Sequence, residues 1–162
     1  MLSPAAMLAK ILRLPFSLIP PEAEVRILSG PTRGKKWIKG AGPNSYWVGT
    51  YESARIRGLA SATTQGAVVY DVGANVGIYS LLASVRVGPS GSVYAFEPLE
   101  RNLRYLRRHI ALNNLQNCLV VESAVSNSPY RLTLSKVMFS TSCRVVSPWS
   151  LTAPPSTGAL VR

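Results

Sequence analysis

Ala67-Val68-Val69-Tyr70 is an unbroken apolar run ending at Asp71, as suits a strand covered on both faces. Gly73 to Gly77 follow as a glycine-containing turn. Ile78, Leu81, Leu82 and Val85 then recur at helical spacing, and Gly88-Pro89-Ser90-Gly91 ends that helix. Val93 to Phe96 repeat the strand pattern and close on Glu97-Pro98. Leu99, Leu103, Leu106 and Ile110 mark a second amphipathic helix, stopped at Asn113-Asn114. Leu119 to Val121 make a third strand. Strand, helix, strand, helix, strand reads as a right-handed parallel βαβαβ unit, so the fold class is α/β with a partial doubly wound sheet.

The flanks read differently. Residues 1–22 predict a helix stopped by Pro20-Pro21. Val25 to Leu28, Lys35 to Ile38 and Tyr46 to Val48 are β-like, with turn residues between them, and suggest a small hairpin lead-in. Residues 53–64 suit a short helix. After Glu122 the chain has no carboxylate, and 11 of the 23 residues from Ser140 to Arg162 are Ser, Thr or Pro, which argues for an irregular tail. Three segments result: a lead-in over 1–66, a half-domain over 67–127 and the tail over 128–162.

Composition narrows the chemistry. The chain has 162 residues, with 18 Lys and Arg against 7 Asp and Glu, for a net charge of +11. That balance favours anionic partners but says nothing of fold. Cys118 and Cys143 are the only cysteines and His109 the only histidine. This excludes the usual zinc spacings and a disulfide scaffold, and it fits a reducing, cytoplasmic setting. No metal site is expected. The apolar stretch Ala5 to Ile19 is broken by Lys10, Arg13 and Pro15, short of the roughly 20 apolar residues that span a bilayer.

The chemistry concentrates at Asp71-Val72-Gly73-Ala74-Asn75-Val76-Gly77 and at Glu97. Ligands of doubly wound sheets bind outside the carboxyl ends of the strands. The turn's glycines admit a ligand without Cβ contact, and amides opening a helix favour a negative group. A carboxylate after the second strand can accept both hydroxyls of a ribose. A dinucleotide site needs G-x-G-x-x-G, but Asn75 and Ile78 stand at its second and third glycine positions. A ligand with a ribose and a carboxylate but no pyrophosphate fits better, and S-adenosyl-L-methionine is such a ligand.

Asp71-Val-Gly-Ala-Asn-Val-Gly-Ile-Tyr-Ser80 with Val93-Tyr-Ala-Phe-Glu-Pro98 resembles the FkbM-type family of S-adenosylmethionine-dependent methyltransferases. Asn102, Leu106, Asn113-Asn114 and Ala124-Val125-Ser126 add to the likeness, as does Trp47-Val-Gly-Thr-Tyr51-Glu52 upstream. The resemblance runs from about Gly30 to Asn127. It implies a Rossmann-like fold and methyl transfer to an oxygen of a small molecule, a saccharide for example. It also implies a cofactor site made by Asp71, Gly73, Ala74, Asn75, Gly77, Glu97, Pro98 and Ala124. Glu97 would hold the ribose hydroxyls, Gly73, Asn75 and Gly77 would wrap the methionine moiety, Asp71 would approach its amino group, and Ala124 would lie near the adenine edge at the end of the third strand.

The stretch after Asn127 departs from that family, with no Asp-Val-Glu-Gly-type fourth strand. The expectation is of a shortened or frame-altered chain whose acceptor wall is missing and whose methyl transfer is impaired. No catalytic residue is assigned. Rival readings are a basic nucleic-acid-binding module or RNA methyltransferase, and a non-catalytic fragment. Arg101, Arg104, Arg107 and Arg108 read as a solvated helix face, which disfavours nucleic acid. His109 reads as a surface residue. Trp37, Trp47 and Tyr51 read as packing, and the role of Glu52 is open.

Overall fold

The computed structural model describes residue 16, residues 18–125 and the strands 132–136 and 139–146. Of the predicted first helix only Phe16 falls there as helical; residues 1–15 lie outside the described residues. Among the described residues no helix is long and apolar enough to cross a membrane.

The lead-in hairpin forms as its turn residues suggest. β1 (Glu24–Arg26) pairs antiparallel with β2 (Lys36–Ile38), with Val25 opposite Trp37. Tyr46 to Val48 differ from expectation: they form α1 (Ser45–Val48), a single helical turn. Local geometry overrides the aromatic β preference there. The Tyr46 amide donates to Pro43 O, the Trp47 indole donates to Asn44 Oδ1 at 3.2 Å, and Gly49 ends the turn at φ +84°. α2 (Ser53–Ala62) follows.

The main sheet has the order β3-β4-β5, all parallel: β3 (Val68–Val72), β4 (Ser92–Phe96) and β5 (Cys118–Val121). α3 (Ile78–Val87) joins the first pair and α4 (Glu100–Leu112) the second. Both crossovers step the same way across the sheet, so right-handed connections lay both helices on one face. Val69, Val93, Ala95, Cys118 and Val120 point into that face and join the core with Leu81, Leu82, Leu103 and Leu106.

The opposite face is only partly covered. Register puts Val68, Tyr70 and Val72 beside Ser92, Tyr94 and Phe96 on it, with Leu119 next to Tyr94. Tyr94 and Phe96 are buried, and Tyr70 stacks on Tyr94 at 5.4 Å. Val68, Tyr70, Val72 and Leu119 remain 56%, 48%, 59% and 41% exposed. The first strand is therefore not covered on both faces. It is an edge strand, and among the described residues no strand pairs with its outer edge. Only the central β4 is buried on both faces, as its sequence suggests.

The predicted irregular tail holds two strands. β6 (Ser123–Val125) pairs in parallel with β8 (Phe139–Val146), and β8 pairs antiparallel with β7 (Leu132–Lys136). Leu-Thr-Leu-Ser-Lys alternates apolar with polar residues, and Phe-Ser-Thr-Ser-Cys-Arg-Val-Val carries Phe, Thr, Cys and Val at every second position. Period two with β-branched Thr and Val favours strands despite the Ser and Thr content.

His109 is the main correction in the core. It is 1% exposed rather than a surface residue. Its Nδ1 donates to Val76 O at 2.7 Å, and its Nε2 accepts the Ile38 amide at 3.0 Å. Trp37 stacks on its ring at 3.7 Å. One side chain thus joins α4, the hairpin and the turn after β3. Burial, with Arg108 adding in the same sense, pushes its pKa down to about 4 against the favourable Val76 bond.

Three outcomes follow from this packing. A lowered histidine pKa gives stability that is complete above the unfolded value near 6.5 and is lost as pH falls towards about 4. Asp71 shifts the other way, so the contribution must be isolated by difference. Urea unfolding of the wild type and His109→Gln should show a stability gap that widens by on the order of 3 kcal/mol from pH 4 to 6.5 and is flat above; a pH-independent gap refutes the neutral buried ring. On the open sheet face, the double substitution Val68→Thr, Val72→Thr should reduce concentration-dependent light scattering and move stability by no more than about 1 kcal/mol. Leu82→Ala in the core should cost about 2–5 kcal/mol.

Candidate functional site

The turn from β3 to α3 is built against the end of β4. Asp71 lies beside Ala95 and Val72 beside Phe96. Past the strand, the amides of Gly73 and Ala74 both donate to Phe96 O at 2.9 Å, and the Gly77 amide donates to Ala74 O at 2.8 Å. The bend needs left-handed backbone at Gly73 (φ +80°), Asn75 (φ +52°) and Gly77 (φ +94°). Asn accepts that conformation more readily than most side chains. At Gly77 a second constraint applies, because a Cβ would meet Leu106 Cδ1 at 2.6 Å. A Cβ at Gly73 would meet nothing within 4 Å, and Gly73 and Asn75 are exposed. The bend is open to solvent there.

Glu97 closes the other side. It is 4% exposed. Its Oε2 accepts the Asn75 amide at 2.8 Å, and its Oε1 accepts the Leu99 amide at 2.9 Å and Asn102 Nδ2 at 3.2 Å. The two strand ends predicted to share a ligand are joined by the carboxylate itself. An ionised carboxylate has about four acceptor positions, so with these three donors in place roughly one is left, on Oε2. A grip on two ribose hydroxyls by Glu97 alone needs one of its present donors to leave.

Asp71 is tied within the protein as well. Ser80 Oγ donates to its Oδ2 at 2.5 Å, and the Ser80 amide donates too. Burial raises its pKa above the ordinary carboxylate value, the Ser80 bonds oppose the shift, and the Glu97 charge adds to it. Asp71 lines a cavity of about 200 Å³ with Leu59, Val69, Tyr70, Tyr79 and Ala83. That is below the roughly 300–1,000 Å³ of sites that enclose a whole small molecule, so it can take only part of a ligand. At its rim, the Tyr79 hydroxyl donates to Glu52, which also accepts Arg55 at 3.1 Å. Burial, then that carboxylate, pushes Tyr79 up to about 12. Glu52, whose role the sequence left open, ties α2 to α3.

Pro98 is half-buried beside Glu97. Ala124 is not at the end of the third strand: β5 stops at Val121, and Ala124 sits in β6, opposite Val145 of β8. The structure therefore brings Asp71 to Gly77, Glu97 and Pro98 together and places Ala124 on a separate strand. On α4, Arg107 pairs with Glu100 and Glu122, Arg108 pairs with Glu22, and Arg104 lies over the Tyr105 ring. Among the described residues no cluster of His, Cys, Asp and Glu could hold a metal ion.

His109 is the site-supporting residue that the sequence reading missed. The signal was its spacing, three residues past Leu106 on the apolar stripe.

Residues 71–150 match the family described as the methyltransferase FkbM domain. The match passes well beyond Asn127, where the resemblance was expected to stop. No curated protein matches the chain. Among solved structures, a SAM-dependent methyltransferase from Aquifex aeolicus shares 28% identity, with 42% of this chain and 37% of that one covered at a TM-score of 0.39. The precorrin-6y C5,15-methyltransferase of Geobacter metallireducens shares 23%, covering 44% and 38% at 0.40. Aeropyrum pernix fibrillarin with natively bound S-adenosyl-L-methionine shares 20%, covering 42% and 32% at 0.35. The chain thus spans less than two fifths of the length of each of these three proteins. The glycine bend and the carboxylate at the next strand end both lie inside the segment 71–150, which is similar to the methyltransferase FkbM domain.

Proposed function

We propose that this chain binds S-adenosyl-L-methionine and serves methyl transfer to a hydroxyl of a small molecule. One observation carries the reading: the Glu97 carboxylate and an open left-handed bend lie side by side at the carboxyl ends of two adjacent parallel strands, inside the segment that matches the family. The cofactor supplies an electrophilic methyl group on a sulfonium. The chain's residues bind and orient it. Glu97 Oε2 takes one ribose hydroxyl. Asn102, already donating to Oε1, offers its own carbonyl oxygen beside the same carboxylate for the second. The amides of Gly73, Ala74, Asn75 and Gly77 are engaged internally, so a bound carboxylate draws on Val76 and the first turn of α3. The cavity beside Asp71 suits the amino end of the methionine moiety. A saccharide is the acceptor we favour, and the family resemblance supports it. A free, buried Cys118, its thiol pushed up to about 11 by burial, fits a cytoplasmic setting.

Calorimetric titration of the 162-residue chain with S-adenosyl-L-methionine and with its demethylated product tests the reading. Saturable binding is expected, and no heat together with no thermal shift from either ligand refutes it. Glu97→Gln turns an amide NH2 towards donors that need an acceptor, and should weaken binding by about tenfold to a hundredfold. An unchanged Kd in that variant rejects the ribose assignment.

A further inference from the structure

The geometry points to His109 as a positioning residue for the Gly73–Gly77 bend, its ring coupling that bend to the lead-in hairpin; the inference rests on the cofactor reading above. Three separate stretches of chain meet at the ring. α4 carries it, β2 presents the Ile38 amide and the Trp37 face, and the bend presents the Val76 carbonyl. These partners admit one protonation state. A carbonyl can only accept, so Nδ1 holds the hydrogen; an amide N–H can only donate, so Nε2 is bare.

Val76 lies between two left-handed residues, Asn75 and Gly77. Glu97 fixes the Asn75 amide and His109 fixes the Val76 carbonyl, so both flanks of this short stretch are held by groups from distant sequence. Without such ties an exposed bend of this kind samples other conformations, and ordering it on binding lowers affinity. A packing role alone would be met by any flat ring against Trp37. The two directional bonds are what an apolar ring lacks.

His109→Phe keeps a flat ring and removes both bonds, whereas His109→Gln keeps one donor and one acceptor. Hydrogen exchange is read at the bonded amides of Gly73, Ala74, Asn75 and Gly77, with Val93 to Phe96 as the internal reference. The Kd for S-adenosylhomocysteine is measured in parallel, and nitrogen-15 shifts report the ring tautomer in the wild type. The Phe variant is expected to speed exchange in the bend about tenfold, leave β4 unchanged and weaken S-adenosylhomocysteine about tenfold. The Gln variant should recover most of both, and the wild-type ring should be the neutral Nδ1–H form at pH 7. Unchanged exchange in the Phe variant overturns the inference, as does an Nε2–H or doubly protonated ring. If the Phe variant does not fold, the tautomer and the Gln variant's exchange decide. A wild type that does not bind S-adenosylhomocysteine refutes the cofactor reading alone, because exchange and tautomer still judge the coupling.

Discussion

The bend after β3 depends on being held from two directions. Its left-handed residues Asn75 and Gly77 are not conformations that a short exposed segment keeps unaided. The Phe96 carbonyl takes the Gly73 and Ala74 amides, Glu97 takes the Asn75 amide, and His109 takes hold of the Val76 carbonyl. All three come from later in the chain than the bend. Hence the bend's shape is a tertiary property, set only once β4 and α4 have packed. Leu106 adds a steric condition, since its Cδ1 stands 2.6 Å from where a Gly77 Cβ would lie and that side chain would have to shift.

The same logic explains the place of the hairpin. β2 packs on α4 through Trp37 against His109, and the Asn113 side chain both accepts the Lys36 amide and donates to Lys36 O. The lead-in is therefore not an appendage to the parallel sheet. It completes the second layer of the helix-covered face, while the opposite face keeps Val68, Tyr70 and Val72 in solvent.

Legibility in the sequence tracked how local the cause was. The βαβαβ order and the helix at Ile78–Val87 rest on spacing within a few residues, and these were readable. One-sided exposure of β3 was not, because an apolar run is the same whether a strand is central or at an edge. His109 was misplaced because residue type outweighed its position on the Leu103–Leu106 stripe. At Leu132–Lys136 and Phe139–Val146, composition outweighed alternation in the same way. Tyr46 to Val48 failed for the opposite reason: local hydrogen bonds to Pro43 O and Asn44 Oδ1 overcame aromatic β preference. The near-full hydrogen bonding of Glu97 was invisible, since one of its donors, the Asn75 amide, is 22 residues away in sequence.

Internal satisfaction of the bend also constrains what a ligand can gain there. An amide already bonded to Phe96 O or to Glu97 offers a newcomer little, because the bond exchanged is about as strong as the bond formed. On the cofactor reading proposed above, net affinity comes from groups left incomplete by folding: the last acceptor position on Glu97 and the first turn of α3 with its partial positive charge. A preorganised bend contributes through what it avoids, the entropy of ordering three left-handed residues at the moment of binding. On this view the residues that shape the site are worth more to affinity than the number of hydrogen bonds they could donate, which places Glu97 and His109 above the glycines of the motif itself.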